Sequence, residues 1–526
     1  MNAIARAWSR RRFLAWTGAA AAALALPRHL RSAPQPKIIS IFHTTDLHGN
    51  ILPTSNYEGV PDLGGLARCA HQIKLWRREN PDSLTLDIGD VYQGTPAGLA
   101  TEGRMMMDCF NALNYDAWVV GNHEFDWGMD PFLRALSASR IPSLFANANL
   151  HGHRAGAYPD ANHPFAKIAP LLLKDVGGIK IAVIGVCTPG LPFWFHPSFF
   201  DGIEPLDPIE PVRAAIQQAR EAGANAILLA GHMGLRDRGD DFANRVQSLT
   251  AEFPEVRAFL AGHTHRENEN VPVNGIPYTQ ASYFGIHCGR LDLAFDPDTG
   301  AFLSATPKLV LMDKHVPLDP ATVDLCRAHL DDAERAQAVP VVTFTRPIST
   351  QAPRGQLSPL GQLIAEAITE ALRAKNVLVD GVFHGLFVDD PEIPAGVKTV
   401  ADMWKIIPFE NFVITGQMTP SQILTVMTEN FETAGRRPGR TLSGFQLKFG
   451  SGKKNNEITA VLNATGQPLD ARKRYIIAMN TFDAQSGGHR LLKLRAIMQE
   501  PETAATLHPV QTRTALIDYL SQKQTI

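Results

Sequence analysis

A chain of 526 residues with 44% hydrophobic side chains can bury a large core, and the usual domain size favours two globular units over one. Its 50 basic and 52 acidic residues leave a net charge of -2, which excludes the basic footprint by which proteins hold nucleic acid or an anionic membrane surface. A small molecule is the partner that this balance favours.

In chain order, the first 35 residues read as a targeting segment. SRRRFLAW (9–16) sets Arg10 and Arg11 before an apolar run (13–26) that is too short to span a bilayer and ends in small residues. This is the pattern of a twin-arginine export signal, so the expected location is periplasmic or otherwise exported, with the twin-arginine machinery as a transient partner. That route carries folded cargo, often already loaded with a metal. The five cysteines (Cys69, Cys109, Cys187, Cys288 and Cys326) are odd in number and lack any Cys-x-x-Cys, which suggests neither a zinc ribbon nor a disulfide scaffold.

From residue 37 to about 311, the β-rich runs KIISIF, SLTLDIG, DAWVVG, IPSLFAN, IKIAVIGV, NAILLAG and RAFLAG alternate with helical patterns. Such alternation predicts an α/β sheet covered by helices on both faces. A helix is expected over 320–338, opened by Asp319 as its N-cap and carrying Leu325, His329 and Leu330 at helical spacing. It reads as a linker and as the neighbourhood of a hinge. Beyond it, PVVTF begins a second unit with a long helix, SPLGQLIAEAITEALRAK, and the strands LSGFQLKF, EITAVLN and RYIIAMN. The expected division is 1–35 signal, 36–315 first domain, 316–340 linker helix and 341–526 second domain.

Five apolar runs of the first unit end in polar clusters. ISIFHTTDLHG delivers Asp46 and His48, LTLDIGD delivers Asp90, and DAWVVGNHE delivers Asn122 and His123. AILLAGH delivers His232, and RAFLAGHTH delivers His263 and His265. Loops leaving the carboxyl ends of neighbouring strands converge on one crevice, so residues remote in sequence meet in space. The ligand inventory is two carboxylates, one amide and four imidazoles, which suits two borderline divalent cations bridged by one carboxylate, here assigned to Asp90. A preceding glycine in GD, GNH, GH and GHTH lets the backbone turn where a Cβ would crowd the ions. Zinc, manganese, cobalt and iron all accept such donors.

The motifs DLHG, GDVYQGTP, GNHEFDWG, GHMG and GHTH, in this order, resemble the calcineurin-like metallophosphoesterases. IPAG, IPFEN, LSGFQLKF and MNTFDAQSGG in the second unit resemble the bacterial 5′-nucleotidase family, which includes UDP-sugar hydrolases. The resemblance implies an N-terminal four-layer α/β sandwich, a linker helix and a C-terminal α/β substrate-binding domain. It implies that Asp46, His48, Asp90 and His265 hold one metal, and that Asp90, Asn122, His232 and His263 hold the other. It makes His123 the catalytic histidine, held by Asp126 three residues on, and Phe482 one ring of a base-stacking pair. The implied reaction is attack of metal-bound hydroxide on a nucleotide phosphoester. Glu124 reads as a solvated helix-start carboxylate in preference to a structural acid. Two departures stand out: Phe387, in HGLF, sits roughly where the family carries an arginine, and His489 takes the place of an acid after the glycine pair. They keep open another phosphomonoester, a cyclic phosphodiester, a thiosulfohydrolase-like reaction or an exported binding protein.

Overall fold

The computed structural model describes residues 35–388, 390–434, 440–451 and 457–526; the twin-arginine segment expected at the amino terminus lies outside the described residues. The first unit is built on two sheets. One contains β1 (Lys37–Thr44), β2 (Ser83–Asp87), β3 (Ala117–Val119), β4 (Ser143–Leu144) and β5 (Ile168–Ala169). The other contains β6 (Leu171–Val176), β7 (Ile179–Cys187), β8 (Ala226–His232), β9 (Phe259–Ala261), β10 (Glu267–Val273) and β11 (Ile276–Ala281). The chain then returns to complete the first sheet with β12 (His287–Phe295) and β13 (Phe302–Leu311). The strand orders are β13-β12-β1-β2-β3-β4-β5 and β10-β11-β9-β8-β7-β6.

Strands β1 to β5 run parallel to one another, as do β7, β8, β9 and β11. The period of two then decides the layers. Ile39 and Ile41 of β1 meet Ile181 and Val183 of β7 and Leu228 and Ala230 of β8 in an apolar layer between the sheets. Phe42 points the other way, onto Leu66, Ile73 and Trp76 of the helix Leu66–Glu79. Ile184 and Val186 likewise turn out onto Val212 and Ile216 of the helix Ile209–Glu221. Helix, sheet, sheet and helix are stacked as four layers, and the runs read as strands are apolar on both faces because both faces are covered.

The linker helix spans Pro320–Gln337, one residue shorter than expected. The Asp319 carboxylate caps it, accepting from Thr322 N at 3.0 Å, and pairs with Lys74 at 2.7 Å, which docks the helix start on the first unit.

The second unit holds a five-stranded sheet of β14 (Gly381–His384), β15 (Phe412–Met418), β16 (Thr441–Leu442), β17 (Tyr475–Asn480) and β18 (Thr506–Gln511), in the order β16-β14-β17-β15-β18. Leu360, Ile364, Ile368 and Leu372 recur at helical spacing on the helix Pro359–Arg373 and pack with Leu516 and Leu520 of the helix Thr512–Lys523. LSGFQLKF and EITAVLN pair with each other as Phe445–Phe449 and Ile458–Asn463, in a ribbon apart from the main sheet. The two units touch beside the carboxyl edge of the first: Ser486 Oγ donates to Phe193 O at 2.7 Å, and His489 stacks on Phe242 with centroids 4.5 Å apart.

Candidate metal centre

Every loop that the sequence marks leaves the carboxyl end of a parallel strand. Asp46 and His48 follow β1, Asp90 follows β2, Asn122 and His123 follow β3, His232 closes β8, and His263 and His265 follow β9. Asp46, His48 and His265 gather into one group and Asp90, His232 and His263 into a second, the ligand atoms of each lying within 4.8 Å of one another. Asn122 joins the second group, its Oδ1 2.8 Å from His263 Nδ1. The groups adjoin: His48 Nε2 is 3.8 Å from Asp90 Oδ2, and His263 N donates to both oxygens of Asp46 at 3.0 and 3.1 Å.

The backbone is bent to achieve this. Asp46, His48, Asp90, His263 and His265 all have φ between 47° and 74°, a left-handed region that residues with a Cβ adopt at a cost of order 1–3 kcal/mol each. Five such residues converging on one place mark a site whose geometry is enforced by its surroundings. The glycine preceding Asn122 shows the crowding directly: a Cβ on Gly121 would lie 2.3 Å from Asp90 Oδ1 and 2.5 Å from Asp90 N.

The donor set fits divalent cations. His232 Nδ1 is committed to Ile88 O at 2.7 Å, which turns Nε2 onto Asp90 Oδ2 at 3.0 Å without hydrogen-bond alignment. A ring-nitrogen lone pair facing a carboxylate oxygen is attractive only with a proton or a cation between them. His48 repeats the arrangement, with Nδ1 on Gln93 O at 2.8 Å and Nε2 turned to His265 Nε2 at 3.1 Å. Carbonyls on the far nitrogens fix the tautomers and ring orientations that metal ligands require. Burial lowers His48 to about 4 and His263 to about 3, so both rings are neutral at pH 7 and carry a lone pair to donate. Burial alone would raise Asp90, but His232, His123 and His48 hold it well below the ordinary carboxylate range.

His123 stands at the rim, a quarter of its side chain exposed, with Nδ1 2.9 Å from Asp126 Oδ1 and its backbone N–H donating to Asp90 Oδ1 at 2.8 Å. Burial would lower its pKa, yet Asp126 and Asp90 together raise it to about 10.

Glu124 corrects the sequence reading. It is fully buried, and its carboxylate accepts from Val91 N at 2.7 Å, Asp90 N at 3.0 Å and Gly121 N at 2.7 Å. One side chain therefore ties the loop that carries Asp90 to the loop that carries Asn122. Burial and the neighbouring Asp90 push it up to about 7. A helix-start position gave no hint of this, because the helix is a single 3-10 turn, His123–Phe125, folded back over the strand ends.

Two aromatic neighbours are not singled out as site residues by the sequence. Tyr57, in the long loop before the helix Leu66–Glu79, places its hydroxyl 2.7 Å from His265 Nδ1 and stacks on Tyr283 at 4.3 Å. Phe409, from IPFEN of the second unit, lies nearly parallel to His123 with centroids 6.3 Å apart. Phe482 is half-buried; a Cβ on Gly488 would sit 3.5 Å from its Cζ and 3.7 Å from Trp194 Nε1, and the Trp194 ring is 5.2 Å from that of His263.

Residues 39–267 match the family model of calcineurin-like phosphoesterases, and residues 337–494 match that of the 5′-nucleotidase C-terminal domain. The chain is 26% identical over 496 residues to snake venom 5′-nucleotidase of Naja atra, covering 86% of this chain and 92% of that protein. To 5′-nucleotidase of Homo sapiens it is 28% identical over 503 residues, covering 86% and 84%. A solved structure, a putative 5′-nucleotidase from Staphylococcus aureus in complex with alpha-ketoglutarate, superposes with a TM-score of 0.74 at 19% identity over 92% of this chain and 97% of that one.

Two outcomes are expected of the cage itself. Burial opposes protonation of His232, but Asp90 raises it to about 9, so at pH 7 the pair holds a proton that a cation at Nε2 must displace. Metal affinity should therefore be weakest at low pH, strengthen about tenfold per unit as pH rises toward 9, and level off above it. Calorimetric titration of manganese or zinc into metal-free protein, in buffers of different ionisation enthalpy, checks both the slope and the released proton. Second, Glu124→Gln should weaken metal affinity roughly 10- to 100-fold, because an amide N–H₂ then faces a backbone donor. An unchanged affinity would detach Glu124 from the cage.

Proposed function

A chain that joins a calcineurin-like phosphoesterase domain to a 5′-nucleotidase C-terminal domain belongs to the 5′-nucleotidase-type metal-dependent phosphoester hydrolases, and we propose that this one releases phosphate from nucleoside 5′-monophosphates. The observation that carries the reading is the pairing of a converged cage of carboxylate, amide and imidazole donors with a cationic histidine at its rim. We take Asp46, His48, Asp90 and His265 to hold one cation and Asp90, Asn122, His232 and His263 the other. Zinc, manganese, cobalt and iron all accept these donors. When bound, such cations supply Lewis acidity, polarising the phosphoryl oxygens and making water acidic enough to ionise near neutral pH.

The chain's own groups do the rest. Asp126 accepts from His123 Nδ1–H and stabilises the imidazolium, leaving Nε2–H to face the phosphoryl group. From there it stabilises charge on the phosphoryl oxygens and protonates the departing alkoxide, a role typically worth ~10² to 10⁴ in rate. Phe482, beside Trp194, offers the base a ring face, and stacking tolerates any base. We divide the chain into an export segment (1–35), a catalytic domain (36–315), a linker helix (316–340) and a substrate domain (341–526). Export by the twin-arginine route rests on Arg10 and Arg11, and no helix of the described residues is long and apolar enough to cross a membrane.

A second reading has its own support. Phe409 covers His123, and Phe387 meets Phe409 at 65° with centroids 6.3 Å apart. Arg440, a guanidinium of the same unit, is committed to Asp483 at 2.6 Å. An apolar wall with its cation neutralised suits a monoester of an aromatic alcohol better than a nucleotide bearing further phosphates.

Two experiments follow. Asp90→Ala should abolish both metal loading and turnover, whereas His123→Ala should keep its metals and lose about 10²- to 10⁴-fold in kcat. Elemental analysis beside phosphate-release kinetics checks this, and full activity in Asp90→Ala would refute it. A panel of nucleoside monophosphates, UDP-glucose, cyclic dinucleotides and aryl phosphates, run on metal-reconstituted protein, should rank nucleoside monophosphates first. Preference for simple aryl phosphates would favour the second reading, and no turnover with any divalent metal would mean a binding protein.

A further inference from the structure

Cys109 and Cys326 take no part in the metal centre. Cys109 lies on the helix Arg104–Ala112 and Cys326 on the linker helix Pro320–Gln337, 217 residues later. Both are fully buried, and their sulfurs are 3.2 Å apart. That is inside the ~3.5 to 4.0 Å at which even unbonded carbon atoms rest, and roughly 1.1 Å of closure separates it from a sulfur–sulfur bond. Residues on two packed helices with sulfurs already in contact need little backbone movement to be bridged.

We infer that Cys109 and Cys326 are a covalent cross-linking site, which an external disulfide oxidises to a bond joining the linker helix to the body of the first unit. Either thiol can donate to the other across this contact, which favours the thiolate on the acceptor; Cys326, on the exposed linker helix, is the attacking sulfur. Its thiolate attacks one sulfur of a small-molecule disulfide such as oxidised glutathione, forming a mixed disulfide and expelling one glutathione thiolate. Cys109, deprotonated, attacks the Cys326 sulfur of that mixed disulfide, and the second glutathione thiolate leaves. Two thiols become one disulfide, and the two electrons and two protons end on two glutathione thiols. Access requires the linker helix, which is mostly exposed along its length, to open locally from the surface it covers.

The other cysteines are placed differently. Cys69 donates to Gly285 O at 3.3 Å, Cys288 points at His43 O at 3.9 Å, and Cys187 is buried at the end of β7. Although Cys69 also adjoins Cys288, its thiol is turned to a carbonyl. The consequence of the cross-link is mechanical. Lys74 and Asp319 dock the start of the linker helix and the Cys109–Cys326 bond fixes its second turn, so movement between the units is confined to the chain after Gln337, ahead of the strand Pro340–Phe344.

The full chain, held with oxidised glutathione and separately with excess dithiothreitol, is denatured in iodoacetamide and mapped by mass spectrometry. Three alkylated cysteines after oxidation and five after reduction are expected, with the Cys109 and Cys326 peptides recovered as one linked species. Oxidation should also raise the melting temperature, because a closed loop of this length restricts the unfolded chain. In Cys326→Ser, oxidation should leave four alkylated cysteines and no thermal shift. Five free thiols in the oxidised wild type, or a bond between Cys69 and Cys288 in its place, would overturn the inference. The thiol count needs no variant to fold and no active enzyme, so it stands or falls apart from the hydrolytic reading.

Discussion

The Asp90 carboxylate is the group on which the rest depends. It is buried, it faces Nε2 of His232 at 3.0 Å, and it accepts the backbone N–H of His123 at 2.8 Å. A charge in that position is tolerable only when it is surrounded by donors and cations. Asp46 sits equally buried across the cage, and Glu124 lies behind both loops, so three acids share one small volume. Two divalent cations would neutralise what the imidazoles alone balance only by taking up protons. The left-handed backbone at five ligand positions is the conformational cost of aiming these groups at common points, and the four-layer core is what sustains it.

Much of this was legible because strand ends announce themselves. Runs such as LTLDIGD and AILLAGH are apolar until the last residues and then turn polar, and the parallel order of β1 to β4, and of β8 with β9, brings those ends to one edge. What the sequence could not reveal lies across the fold. Glu124 looked like a helix-start acid, and only tertiary packing shows it accepting three backbone N–H groups from two loops. Tyr57 sits in a loop with no periodicity, so nothing local marks its reach to His265. Phe409 belongs to another unit altogether, and its place over His123 depends on how the second unit seats on the first.

His489 illustrates the same limit from the other side. Its presence in place of an acid reads as a departure that leaves the substrate open. In the structure its ring stacks on Phe242 at 4.5 Å and stands edge-on to Phe193 at 5.2 Å, so it packs the contact between units. The same stretch ties Ser486 to Phe193 O, so the residues that bring Phe482 toward the metal edge also hold the units together. On the role proposed for Phe482, substrate selection and unit seating rest on one surface, where a substitution in either role disturbs the other.

The most direct measurement is anomalous diffraction from crystals of metal-supplemented protein, with data collected on both sides of the absorption edge of the added metal. A binuclear cage requires two peaks flanking the Asp90 carboxylate, one beside His48 and His265 and the other beside His232 and His263. No peak there, or density only at remote surface residues, would contradict it.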